Sequence, residues 1–284
     1  MHKTSIKQIL IFICLLLSTL LTANDIPISQ TSFSGKFAPE KAMKSIFKNF
    51  NLKEGTSSWS PKSTCSSKNI YEAESYSNKF FLDNINEDGK ESIARVHSYH
   101  TFKANGKEMA YLIIDTQISW CIACKALMSV ALWEKTNNRW SISAITKCLV
   151  PLGGVGSLTG ATKLVKIGDT KYGLLYSESY DDYELAVLII EDEKKHLKVV
   201  FHKEVGNGNT TGRSSCHDYD TYCWKYTSTI SFGKAKKSEF YNLIQRTTGT
   251  KYIKDDYEKN IKVVIPYSNV FRYEYKEGKY SKVN

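Results

Sequence analysis

Outside its first two dozen residues the sequence has no apolar run long enough to cross a membrane as a helix, which takes about 20 residues. Even Leu185 to Ile190 is only strand length. Signatures that would name a reaction are missing too. No Gly-x-Ser-x-Gly elbow and no His-Glu-x-x-His helix occurs, which removes two common hydrolase designs. Gly153-Gly154-Val155-Gly156 is followed by no Lys-Ser/Thr in register and has no parallel βαβ setting, so it is not read as a phosphate-binding loop. Adjacent carboxylates at Asp181-Asp182 and Asp255-Asp256 sit in polar, turn-like stretches and identify no acid–base pair. His196, His202 and His217 lack the paired spacing of metal ligands or of a nucleophile's base, and no internal repeat is visible.

What the chain does have begins with a leader. Met1, His2, Lys3 and Lys7 form a short basic region, Ile9 to Leu17 is unbroken apolar, and Ser18 to Ala23 is small and polar. This layout predicts a secretion signal over residues 1–23, cleaved after Ala23, and an exported protein, periplasmic or secreted. Cys14 follows Phe12 and Ile13, where a lipoprotein signal wants a small residue, so no lipid anchor is expected. Residues 24–284 suffice for a proper hydrophobic core and are read as a single mainly β domain with an amino-terminal helix. The formal charge is +10; without Lys3 and Lys7 there are 37 basic against 29 acidic residues, or +8. Because the lysines are scattered among acids and the cluster Lys234, Lys236, Lys237 is short, the excess reads as a solubilising surface. No nucleic-acid-binding module accompanies it, and nucleic acid is not an expected partner.

Phe37 to Phe50 places Ala42, Met43, Ile46, Phe47 and Phe50 at helical spacing after Pro39, predicting an amphipathic helix. Residues 56–69, rich in Ser, Thr, Lys and Pro, read as a loop. Strand signals then dominate. Ile93 to Phe102 and Met109 to Ile118 flank Asn105-Gly106, a strong hairpin signal, and Val130 to Glu134 and Trp140 to Ile145 flank Asn137-Asn138. Further hairpins join Lys163–Ile167 to Tyr172–Tyr176 and Leu185–Ile190 to Leu197–His202; Glu277-Gly278 turns the last one, within Val270 to Val283. Ser238 to Arg246 is read as a second helix, Ile261 to Ile265 as a separate strand, and the glycine-rich segments 153–160 and 206–212 as loops or crossovers. The expected fold is mainly β: antiparallel hairpins forming a sandwich, barrel or partial propeller, with one or two flanking α-helices.

Six cysteines follow the leader: Cys65, Cys121, Cys124, Cys148, Cys216 and Cys223. An even number in an exported chain reads as disulfides. Cys216 and Cys223, seven residues apart, are the favoured pair. The other four pair either as Cys121 with Cys124 and Cys65 with Cys148, or with the two cysteines of the Cys-x-x-Cys each holding a distant segment. Trp120-Cys121-Ile122-Ala123-Cys124-Lys125 resembles the active-site string of thioredoxin-like oxidoreductases. That resemblance implies Cys121 as nucleophilic thiolate and Cys124 as resolving thiol. It departs from the family in leaving at most two helical turns after the motif and in having no βαβ order. His97 and His100 would complete a Cys₂His₂ zinc site with the same cysteines, but on a regular strand they point to opposite faces. Asn84-Ile85-Asn86-Glu87-Asp88-Gly89-Lys90-Glu91 resembles the loop of FG-GAP or VCBS-type exported β-repeat proteins, which implies calcium on Asn84, Asn86 and Asp88. Arg95 stands where an EF-hand needs its bidentate glutamate. Together these segments are similar to uncharacterised exported bacterial proteins of unknown function. No cofactor is expected beyond a structural calcium.

The leading functional expectation is an exported, disulfide-stabilised binding or interaction protein rather than an enzyme, with a protein or glycan of the cell envelope as partner. Its contact surface would come from tyrosine-rich stretches, Tyr176, Tyr180 and Tyr183 with Tyr219, Tyr222, Trp224 and Tyr226. The alternative is a periplasmic or extracellular thiol-disulfide oxidoreductase using Cys121 and Cys124.

Overall fold

The computed structural model describes residues 32–59, 65, 92–117, 125–154, 156–180, 183–208, 224–235, 238–256 and 261–283. Among them the fold is antiparallel β in two sheets, with one short helix. In the first sheet β2 (Thr56–Trp59), β3 (Ser92–Ala104), β4 (Lys107–Gln117), β5 (Ala126–Thr136) and β6 (Arg139–Leu152) follow one another as a meander. The three-residue β1 (Ser32–Ser34) pairs with β6 at the far edge. The second sheet is a meander throughout: β7 (Ala161–Lys166), β8 (Tyr172–Tyr180), β9 (Tyr183–Glu191), β10 (Leu197–Gly208), β11 (Lys225–Gly233), β12 (Asn242–Asp256), β13 (Ile261–Lys276) and β14 (Lys279–Val283).

Turn chemistry sets the hairpins. Asn105 and Gly106, Asn137 and Asn138, and Glu277 and Gly278 all have positive φ, the backbone that a two-residue turn needs to match strand twist. The helix α1 (Pro39–Ile46) opens on Pro39 with Glu40 in its first turn and Lys44 in its last, and buries Ala42, Met43 and Ile46. It stops a turn earlier than its apolar spacing predicts. Phe47 is extended, yet Phe47 and Phe50 still fill the same core.

Four other expectations are corrected. Residues 56–59 pair with β3 as a strand instead of beginning a loop. Ser238 to Arg246 is not a helix: Leu243 faces Phe232 on one side and Tyr273 on the other, and Leu243, Gln245 and Thr247 are buried in alternation. Two waiting partner strands thus override a local spacing that fits either period. Residues 261–276 form one strand, continuous through Pro266, which pairs with Thr250 where β13 has a neighbour on one side only. The glycines at 206 and 208 end β10 instead of lying in a loop.

The layers explain the burial. Between the sheets Tyr111, Ile113, Val130 and Leu132 meet Leu174, Tyr176, Leu185, Val187 and Ile189. The opposite face of the first sheet carries α1, through Leu112, Ile114, Ala131 and Trp133. Only two residue pairs, Asn207 with Tyr226 and Gly208 with Lys225, join β10 to β11. The second sheet therefore turns sharply there, and β11–β14 fold back over β7–β10 around Leu188, Ile190, Phe201, Leu243 and Tyr273 as a curled half-barrel. A bridge between Gly168 and Phe240 draws the start of β12 against the end of β7. The mainly β, antiparallel fold is thus two packed sheets, one of them curled into a half-barrel. Covered on both faces, β4 and β9 are continuous apolar runs in place of alternating ones.

Candidate functional site

Four connections meet around one groove of about 770 Å³: those between β3 and β4, β7 and β8, β9 and β10, and β13 and β14. Five aromatic rings contribute to its wall. Phe102 lies nearly parallel to Tyr111, centroids 5.5 Å apart, and 5.1 Å from Tyr172, while Phe240 stacks on Tyr275 at 4.0 Å. Lys171 extends over the Phe240 ring at 4.9 Å and pairs with Glu239 at 3.2 Å.

The charged rim is largely self-neutralised. Lys107 pairs with Glu134 at 2.6 Å, Lys195 with Glu191 at 3.3 Å and Lys198 with Asp192 at 3.3 Å. Asp192 also builds the β9–β10 turn, accepting the amides of Lys194 at 2.9 Å and His196 at 3.0 Å. Burial pushes its carboxyl up, but those amides and Lys198 outweigh burial and hold it below the usual aspartate range. Glu193, Lys194 and Glu277 line the same rim. The site therefore combines half-buried aromatic rings with donors and acceptors of both signs and little net charge.

A second polar concentration lies along the seam between β3 and the 153–162 segment. Here a β-bulge decides which residues meet. Val96 pairs with Ile114 and Ser98 with Ile113, so His97 is an extra residue and the alternation of β3 shifts across it. The expectation that His97 and His100 point apart is overturned: His97 bonds the Gly160 carbonyl at 3.0 Å, and His100 bonds Thr162 Oγ1 at 2.7 Å. Ser98 meets the same Thr162 hydroxyl at 2.6 Å. Arg95 donates to Asp115 at 2.9 Å and to Ser157 at 2.5 Å. Asp115 is 1 % exposed, and burial raises its pKa despite Arg95 and the Leu158 amide. Tyr176 donates to Glu178 at 2.9 Å and accepts the Gly160 amide at 2.9 Å, while Glu178 also accepts the Gly153 amide at 2.8 Å. The glycine-rich segment thus turns amides inward onto buried acceptors, away from any phosphate. Every polar group just named has a partner, and this seam reads as the joint that fixes one sheet on the other.

Cys65 and Cys148 are joined in a disulfide, one of the pairings left open by the sequence. Cys121, Cys124, Cys216 and Cys223 lie outside the described residues, as do Asn84, Asn86 and Asp88. β5 begins at Ala126, two residues after Cys124, where a thioredoxin-type motif would continue as a helix. No group of three or more His, Cys, Asp or Glu among the described residues is arranged to hold a metal. No described helix is long and apolar enough to cross a membrane.

The tyrosines of the expected contact surface fall in different settings. Tyr176 is fully buried in β8, not displayed on a loop, whereas Tyr183 is 38 % exposed, and Trp224 and Tyr226 stack 6.1 Å apart. Tyr219 and Tyr222 lie outside the described residues. Sequence reading missed the groove aromatics Phe102, Tyr172, Phe240 and Tyr275, whose signal was their place beside turns. Comparison with protein-family models, curated proteins and solved structures returned no match to this chain.

Proposed function

We propose that this protein is an exported, disulfide-stabilised binding protein whose ligand seats in the groove between the turns. The observation that carries the reading is the groove itself. Its volume lies within the range of about 300–1,000 Å³ usual for small-ligand sites, and its walls combine ring faces with orienting polar groups. Export rests on the basic and apolar leader at residues 1–17. The Cys65–Cys148 bridge suits an oxidising compartment, and a rigid sandwich carrying a site on its connections is a common way to build a binding surface. The partner is a glycan or protein of the cell envelope.

An immobilised panel of glycans and random peptides, probed with the mature chain, tests this. Saturable retention that weakens in Tyr275→Ala and Phe240→Ala is expected. Retention indifferent to both changes would remove the ligand from the groove, and retention of no probe would remove the binding reading. The Trp120–Lys125 string favours one competitor, a thiol-disulfide oxidoreductase. In an insulin-reduction assay, sustained turnover lost in Cys121→Ser would put that activity in place of binding.

A further inference from the structure

We infer that the groove takes a neutral glycan, a chain of uncharged sugar rings lying against its aromatic faces. This rests on the groove being the binding site, as proposed above. The rings come first. Phe102 with Tyr172, and Phe240 with Tyr275, give two half-buried aromatic pairs along one cavity, with the buried Tyr111 backing Phe102 from the core. A pyranose ring presents a flat face of C–H bonds that packs on an aromatic face, while its hydroxyls project around the edge.

The rim distinguishes a neutral ligand from a charged one. Lys107, Lys195 and Lys198 are each held by a carboxylate, Glu134, Glu191 and Asp192. An anionic chain would have to displace these carboxylates or lie beside them, and a cationic chain would meet the lysines. Hydroxyls do neither, because each donates to a carboxylate and accepts from an ammonium while the pair stays intact.

At one point of the groove wall the backbone is already taken up. A peptide adding a strand needs a free ladder of amides and carbonyls. Ile167, where the end of β7 reaches the groove, has none to offer: its amide bonds the Lys171 carbonyl at 3.0 Å and its carbonyl accepts the Tyr241 amide at 2.6 Å.

The test is affinity electrophoresis of the mature chain through gels containing a mixed-linkage glucan, a galactomannan or a dextran. An acidic galacturonan gel and titration with a random peptide pool run beside it. Retardation by at least one neutral polysaccharide, insensitive to salt, is expected. It should weaken at least about tenfold in Tyr172→Leu, which keeps apolar bulk but removes the flat ring, and in Phe240→Leu, the second variant should the first not fold. Binding only to the galacturonan or the peptides would overturn the neutral-glycan assignment and leave the groove standing as a binding site. Neutral-polysaccharide binding unchanged in both folded variants would overturn it as well, by placing the sugar elsewhere. Binding of no probe would overturn both readings.

Discussion

Asp115 and Glu178 are carboxylates carried almost wholly out of water, and each is held by a backbone amide of the glycine-rich segment together with a side-chain donor. Tyr176 ties the two halves of the Glu178 network together. Tyr176→Phe strips Gly160 of its acceptor and Glu178 of a donor, so a loss of about 1–3 kcal/mol is expected, read by urea denaturation. Gly160 has no room for a side chain, since a Cβ there would run into the Ser177 carbonyl and the Tyr176 ring. His100 supplies a pH dependence. Burial holds its imidazole below the usual 6.5, so the folded chain prefers it neutral. The stability this contributes is full above the unfolded value and is lost as pH falls through 6.5 towards the lower folded value. His100→Gln keeps a group able to bond Thr162 and should flatten stability between about pH 7.5 and 5.5, measured by denaturation at each pH. Asp115 acts in the opposite sense: its raised pKa means that protonation on acidification relieves a cost.

Among the elements, those whose chemistry is local were legible. Asn105-Gly106 and Glu277-Gly278 name their own turns, and Pro39 marks its helix start, because each depends on backbone preferences a few residues wide. Ser238 to Arg246 was misread because its identity depends on β11 and β13, distant strands that a short window does not contain. The bulge at His97 was hidden for a related reason: one extra residue shifts the parity of the strand, and nothing in Val96-His97-Ser98 announces it. Two element-scale expectations follow. Gly168 bridges Phe240 with the Glu239 carbonyl where a Cβ would stand, so Gly168→Val should part β7 from the start of β12 and lower the urea midpoint by an amount equivalent to about 1–3 kcal/mol. Cys65 and Cys148 are 83 residues apart in sequence, and their joint replacement by serine should cost about 2–5 kcal/mol, with no cross-linked 65/148 peptide in the non-reduced digest. Recovery of both thiols free from the native exported protein would contradict the pairing.

For the whole molecule, helix, first sheet and the two turns of the second sheet stack so that β4 and β9 are covered on both faces, while β11–β14 keep an outer face open to solvent. The antiparallel class was legible because hairpins announce themselves one at a time. The groove was not, since Phe102, Lys107, Tyr172 and Lys198 meet only when the first sheet packs on β7–β10, and Phe240 and Tyr275 join them only when β11–β14 fold back. The measurement that bears most directly on a ligand in that groove is hydrogen exchange of the mature chain, alone and saturated with the glycan or peptide that best retains it. Slowed exchange is expected around the groove, at residues 167–172 and 191–198. Protection confined to the Arg95–His100 and Ser157–Thr162 seam, or to β11–β13, with the groove turns exchanging as before, would contradict it.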